Sequence, residues 1–482
     1  MSRINQNVPA LQAIHQLSRN QDDLTLRLER LSTGLRINRG SDDPAGLIAS
    51  QSLRSELRGL AGAIENSERA INVIATADAA LSETGALLLE IRGLINRSAN
   101  EGALSDTELQ ANQLQVDSLL ESINRIANTT QFNGKKLLNG QLGYTISSQT
   151  TTEIARLQVF GARVPNNGSV SVTLQVTQSA QTASLFIPLG GTSGLSASGN
   201  LAQGNNVTIE IQGSQGTEIF GFTGSTTTAT IATAINSFTD LTGIAASASS
   251  GGLTFSSTGF GSNEFVSVKA ISGTFTVNAG DQGDTKDAGR DAGVFVNGQQ
   301  ATVDGLIASI RTNGLDFVAD LTQSFGTALG SSTFGITGGG ALFQIGPDVN
   351  ADGLVSIGIP TISTSNLGNS VDGFLNSIGT GGSSSLVGGN FVTAEGIIKS
   401  AIEQVSVLSG RLGGFQANQL ETNINSRRVA FENVTAAESA IRDTDYSVEV
   451  ANLTRAQILV QSTTQILGLA NQLPQNVLSL LR

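Results

Sequence analysis

RLSTGLRINRGSDDPAGL, residues 30–47, opens as a helix with leucines on one face and then meets Gly34, Gly40, Asp42, Asp43 and Pro44. The interruption reads either as a ligand loop or as a joint between helices. Asp42 or Asp43 ahead of Pro44 makes a good helix start: a carboxylate accepts from free backbone N–H groups, and proline at the first helical position forfeits no bond. The glycines permit backbone angles that other residues avoid. A phosphate loop would need a P-loop lysine and a preceding buried strand, and neither is present. The stretch reads as a joint.

Working outward, Leu17, Leu24, Leu28, Leu31 and Leu35 recur at steps of seven, four, three and four, one stripe along a helix. Beyond the joint, Leu57, Leu60, Ile64, Ser67, Ile71, Ile74, Asp78 and Leu81 continue the three-four alternation. Val116, Leu119, Ile123 and Ile126 mark a third helix ending near TTQFNGKKLLNG. At the other end, Val405, Leu408, Leu412 and Phe415 are extended by polar Gln419 and Thr422. Leu453, Ala456, Val460, Thr463, Leu467 and Ala470 then repeat the pattern before Pro474, which is expected to interrupt it. Polar residues in such a seam cost stability and fix register.

Between these ends glycine, serine and threonine become frequent, and 15 of the 19 phenylalanines fall in residues 141–390. Short alternating runs, SVSVTLQV, NVTIEI, GLTFSS and FVSVKA, read as strands, and TATIATAINSF as a short helix. The ends are nearly neutral, whereas residues 141–390 carry 6 basic against 15 acidic side chains within a net charge of −12. Such an insert repels a phosphate backbone, so nucleic acid is not an expected partner. No stretch reaches the roughly 20 apolar residues of a membrane span, and no apolar run of signal-peptide length opens the chain, so neither a membrane partner nor a cleaved signal is expected.

The absence of cysteine closes thiol chemistry, disulfides and thiolate metal sites. The single histidine, His15, sits among helix formers and reads as a helix-surface residue rather than a catalytic base. DVNADGLVSIGI places Asp348, Asn350, Asp352 and Gly353 at positions 1, 3, 5 and 6 of a calcium loop. Position 12, which should supply a bidentate carboxylate, is Ile359, so the run reads as a turn. Asp443 and Asp445 read as a solvated turn before the last helix rather than an acid–base pair. No catalytic residue, cofactor or metal is expected.

Two apolar-striped helical ends separated by about 250 residues of β-rich chain most simply pair with each other. A helix of about 35 residues is roughly 50 Å long, and a lone pair of that length cannot cover all its apolar surface. The remainder meets other copies. A non-closing self-association surface gives a helical filament, and a closed parallel coiled-coil trimer is the alternative. The fold class expected is α+β, elongated and multidomain: N- and C-terminal helices pair into a coiled-coil and helical-bundle core, and a β-rich insert forms the outer domains.

LERLSTGLRINRGSDDPAGLIAS, TQFNGKKLLNG and the ending NLTRAQILVQSTTQILGLANQLPQNVLSLLR closely resemble the bacterial flagellin family over about residues 1–145 and 391–482. NNVTIEIQGSQGTEIFGF through FVSV is similar to a strand-helix-strand module that recurs in flagellins and filament-cap proteins. The resemblance implies an inner coiled coil from residues 1–42 and 447–482, disordered in the monomer and ordered on assembly. It implies a helical core with hairpins from 43–178 and 341–446, and a variable outer insert at 179–340 with the module near 203–270. It further implies a secreted, extracellular filament subunit that works as a homo-oligomer. Its expected partners are the flagellar export apparatus and its chaperone, and the cap and hook-junction proteins. A junction protein or a surface-binding insert are the alternative readings. Some members carry a zinc protease with two histidines in this insert, which here has none. LEIRGLINRSAN, residues 89–100, aligns with the segment that an innate immune receptor reads in enterobacterial members. Arg92 and Leu94 match, but those members have arginine at Glu90 and glutamate at Gly93 and Gln115, so weak recognition is expected.

Overall fold

The computed structural model describes residues 6–480 apart from 101, 165–167, 191–192, 278–284 and 313. Its helices are α1 (Val8–Thr33), α2 (Pro44–Ser98), α3 (Asp106–Thr129), α4 (Thr228–Asn236), the single turns α5 (Thr239–Thr242) and α6 (Gln323–Gly326), then α7 (Phe391–Phe415), α8 (Thr422–Arg442) and α9 (Tyr446–Leu480). The chain divides into two compact units, residues 1–68, 344–354 and 420–482, and residues 69–343 and 355–419.

In the first unit α1 runs antiparallel to α9, and the start of α2 lies along α8. Ser50 donates to Glu438 at 3.1 Å and Arg428 pairs with Glu68 at 2.8 Å. The tip of a hairpin, strands Ala341–Gln344 and Leu354–Ile357, rests on α2 at Gly59. A Cβ there would sit 3.0 Å from the Pro347 carbonyl oxygen, so glycine permits the approach.

The buried positions of α2 alternate by three and four from Leu60 through Ala63, Ser67, Ala70, Ile74, Ala77, Leu81, Thr84, Leu88, Ile91 and Ile95 to Ser98. Large and small side chains share this stripe, which lets partner helices approach closely over much of a helix roughly 80 Å long. Ile64, Ile71 and Asp78, expected on it, lie beside it and are only partly buried.

Two sequence expectations for the C-terminal helices are corrected. Between α7 and α8 the backbone makes a π-turn over Gln416–Glu421, so the buried line runs Leu408, Leu412, Phe415 and then Leu420 and Ile424. The wider turn shifts the register, which leaves Gln419 and Thr422 on the exposed side. Pro474 does not end α9, which continues to Leu480; inside a helix proline removes one hydrogen bond without forcing termination.

In the second unit α3 folds back along α2, and α7 lies antiparallel to α2 with Arg92 paired to Glu395 at 2.7 Å. A capping box at Ser105 and Glu108 starts α3. Along α3, Gln113, Asp117 and Asn124 hold the largely irregular chain that leads to α7. Gln113 donates to the Ile378 carbonyl and accepts from Leu386 N–H, Asp117 accepts from Thr380 N–H, and Asn124 accepts from Thr364 N–H.

The β region has two hydrophobic cores. One belongs to residues 183–288: a sheet ordered Lys286–Ala288, Phe265–Ser272, Val207–Gly213, Thr217–Phe222, a second ordered Ser184–Pro188, Gly252–Ser257, Ile244–Ser249, and α4, around Leu185, Ile209, Ile231, Leu253 and Phe255. The other packs Gln299–Gln300, Gly293–Val296, Val170–Gln178, Gly330–Gly339, Tyr144–Ser147 against Thr302–Asp304, Ile307–Arg311, Leu315–Leu321, Ile154–Ala162, around Phe317 and Phe334. The expected boundary at 178/179 therefore cuts through one sheet, because Val170–Gln178 is hydrogen-bonded between Gly293–Val296 and Gly330–Gly339. The chain passes from one core to the other at Gln181 and Arg290, which bridge each other. Among the described residues no helix is long and apolar enough to cross a membrane.

Candidate assembly site

The α1–α9 seam is a heptad pattern on both helices. On α1 the covered positions are Ala10, Ala13, Leu17, Asn20, Leu24, Arg27 and Leu31; on α9 they are Glu449, Leu453, Ala456, Val460, Thr463, Leu467 and Ala470. Alanines at Ala10, Ala13, Ala456 and Ala470 are buried, which lets the backbones come close while the leucines cover the flanks. The structure thus puts Leu17, Leu24, Leu31, Leu453, Ala456, Val460, Leu467 and Ala470 together.

Two expected members lie elsewhere. Leu28 is 51% exposed, because Arg27 occupies the seam position. Leu35 lies beyond the end of α1 and forms an isolated bridge with Asp443. Asn20, Arg27 and Glu449 were missed for the same reason: a search for apolar periodicity passes over polar seam residues, although continuing the three-four steps from Leu17 and Leu453 lands on each.

The polar members are all partnered. Asn20 donates to Thr463 Oγ1 at 3.3 Å and faces the Leu459 carbonyl at 3.4 Å. Arg27 reaches Glu449 at 3.3 Å across the seam and Asp23 at 2.9 Å on its own helix. Asn7 donates to the Ala470 carbonyl at 2.8 Å, and its side chain caps α1 by accepting from Ala10 N–H.

The joint after α1 is built from its own hydrogen bonds. Gly34 closes the helix in the left-handed conformation, φ +75°, with its N–H on the Arg30 carbonyl, and its carbonyl accepts from Thr444 N–H at 2.9 Å. Asp42 accepts from the Arg39 and Asn38 N–H groups, which hold its carboxyl below the usual range. Asp43 accepts from Gly46 N–H at 2.9 Å, with Pro44 as the first residue of α2. Gly40 does not use a left-handed backbone. The tight glycine is instead Gly46, where a Cβ would lie 2.5 Å from Asp43 Oδ2 and 2.7 Å from Ile37 Cδ1.

The other acidic candidates serve turns. Asp445 accepts from the Ser447 and Val448 N–H groups at the start of α9, and Asp443 accepts from Ser439. In the hairpin tip Asn350 accepts from Gly353 N–H at 2.8 Å, the Asp348 carbonyl accepts from Gln344, and Ile359 is buried. In the segment aligned with the receptor-binding region, Leu94 is fully buried, Arg92 is paired to Glu395, and Gln115 bonds Glu90 at 3.3 Å; the leucine that reaches the surface is Leu89.

A second apolar stripe remains on each terminal helix. Leu11, Ile14 and Leu28 on α1, and Leu459, Ile466 and Leu469 on α9, lie one residue from seam positions, about 100° around the helix, and all are exposed. Helices paired on one face and apolar on the next belong to a structural subunit that assembles with further copies of itself.

Comparison with known proteins agrees. The family description "Bacterial flagellin N-terminal helical region" matches residues 4–142, "Bacterial flagellin C-terminal helical region" matches 396–481, and "Flagellin hook IN motif" matches 208–259. The chain is 28% identical to a flagellin of Salmonella rubislaw over 99% of both proteins, and 28% identical to a flagellin of Clostridium tyrobutyricum over 98% of this chain and all of that one. With the flagellin of Bacillus subtilis it shares 42% identity over 122 residues, 25% of this chain and 40% of that protein. The chain belongs to the bacterial flagellin family. It is an exported, extracellular subunit of the flagellar filament.

Proposed function

We infer that this chain polymerises through α1 and α9, which order as each subunit joins the filament tip. The observation that carries the reading is the exposed stripe of Leu11, Ile14, Leu28, Leu459, Ile466 and Leu469 beside a seam already filled. The pair leaves this stripe in water, and its burial against neighbouring copies supplies further stabilisation. The segment 34–44 acts as the joint between the inner coiled coil and the surrounding helices. The reading assigns the chain no catalytic step. Export in an unfolded state by the flagellar apparatus with its chaperone, and contact with cap and junction proteins, accompany it.

Seeded polymerisation tests this directly. Full-length protein is expected to form filaments under electron microscopy, with a gain in helical circular dichroism on assembly. A version lacking residues 1–36 and 450–482 is expected to form none. Filaments from the truncated chain would overturn the reading.

The receptor segment supports a second expectation. Glu90 is hydrogen-bonded to Gln115, positions where enterobacterial relatives carry arginine and glutamate, so the charges presented differ from those of the relatives. Charge reversal in a polar interface costs several kcal/mol. Purified monomer is expected to activate a receptor reporter cell line weakly, and full potency would refute this.

A further inference from the structure

The apolar pattern of the α1–α9 seam does not by itself define one pairing. Slipping one helix by seven residues along the other places leucine and alanine columns against leucine and alanine columns again. Homotypic pairs, α1 with α1 or α9 with α9, also present matched apolar faces. In a filament many copies of both helices are crowded together, so each α1 must select an α9, and in one register.

We propose that the polar contacts of the seam, half-buried Arg27 with buried Glu449 and buried Asn20 with Thr463, are the pairing code of the terminal helices. The proposal rests on the reading of α1 and α9 as the assembly device. Glu449 is 5% exposed and faces Arg27 at 3.3 Å. A parallel α1–α1 pair would bring Arg27 against Arg27, and a parallel α9–α9 pair Glu449 against Glu449, each a desolvated like-charge contact. Only α1 with α9 matches the signs. Asn20 supplies the register: it is 7% exposed and bonded to Thr463, and a one-heptad slip would set it against Ala456 or Ala470, whose side chains offer no hydrogen bond. The same slip separates Arg27 from Glu449 and leaves a buried carboxylate unpaired.

The test is a charge swap in the full chain, grown on seeds of the parent protein. Arg27→Glu and Glu449→Arg are each expected to raise the critical concentration at least about tenfold, and the double swap to return it to within about threefold of the parent. Asp23, which shares Arg27, is 42% exposed, so its repulsion of a glutamate at 27 is screened. Circular dichroism of the four monomers checks that folding is unchanged. Singles that polymerise like the parent, or a double swap no better than the worse single, overturn the charge code. Asn20→Leu combined with Thr463→Leu is expected to polymerise into irregular filaments without sharp layer lines; layer lines as sharp as the parent's would remove Asn20 and Thr463 from the code. A parent that forms no filament overturns the underlying assembly reading instead.

Discussion

Ile466→Asp combined with Leu469→Asp is expected to abolish filament growth at any accessible protein concentration while leaving the monomer's circular dichroism and thermal melt unchanged. Both side chains are more than half exposed in the single chain, so their replacement removes little intramolecular packing. On the proposed assembly reading they meet neighbouring copies. Each loses roughly half of the about 1.5–3 kcal/mol that full burial of such a side chain supplies, and each new carboxylate must be desolvated at a further cost of several kcal/mol. A loss of about 5 kcal/mol or more per added subunit raises the critical concentration by more than about a thousandfold. Sedimentation of seeded reactions measures it. Growth at the parent's critical concentration would show that this stripe faces solvent in the filament and that another surface carries assembly.

The sequence made the helical ends and their pairing visible because heptad spacing survives in a single chain: Leu453, Ala456, Val460, Thr463, Leu467 and Ala470 are the very positions α9 turns towards α1. It was less informative where a polar residue does the work of an apolar one. Leu28 looked like a seam residue because leucine is an ordinary seam residue, yet Arg27 holds that place by virtue of Glu449, some 420 residues away, a partnership that no local spacing shows. The π-turn at Gln416–Glu421 adds no distinctive residue, so the shift from Gln419 to Leu420 became visible only in the backbone. The strands of the insert were legible from alternation, but their grouping was not. Val170–Gln178 reads the same whether it pairs with strands before it or with Gly293–Val296 and Gly330–Gly339 far along the chain. The joint lay between these cases: the cap at Asp43 and Pro44 was readable, whereas the need for Gly46 arises from Ile37 folding back over it.

Arg156→Leu is expected to destabilise the second β core by about 3–5 kcal/mol in chemical denaturation, the cost of leaving a buried carboxylate without its cation. Arg156 and Asp320 face each other across adjacent strands at 3.0 Å, and Asp320 is only 3% exposed. Burial raises the Asp320 carboxyl above its ordinary range, and Arg156 opposes that rise through its charge and its hydrogen bond. A carboxyl with a raised value in the fold binds its proton more tightly there than in the unfolded chain. Its ionisation therefore costs stability as pH climbs through the raised value, and that cost is relieved as pH falls back through it. Removing Arg156 removes the opposing influence, so the raised value climbs further and the penalty at neutral pH grows. The destabilisation in Arg156→Leu should consequently shrink as pH falls from neutral through the raised value of Asp320, where the carboxyl protonates. Arg156→Leu with Asp320→Leu should recover most of the loss at every pH, because it leaves no buried charge and the Gly368 carbonyl, which Arg156 also bonds, keeps its contact with Gln404. A destabilisation that is independent of pH, or a double replacement as unstable as the single, would mean that Arg156 acts through its packing and its bond to Gly368 rather than through Asp320.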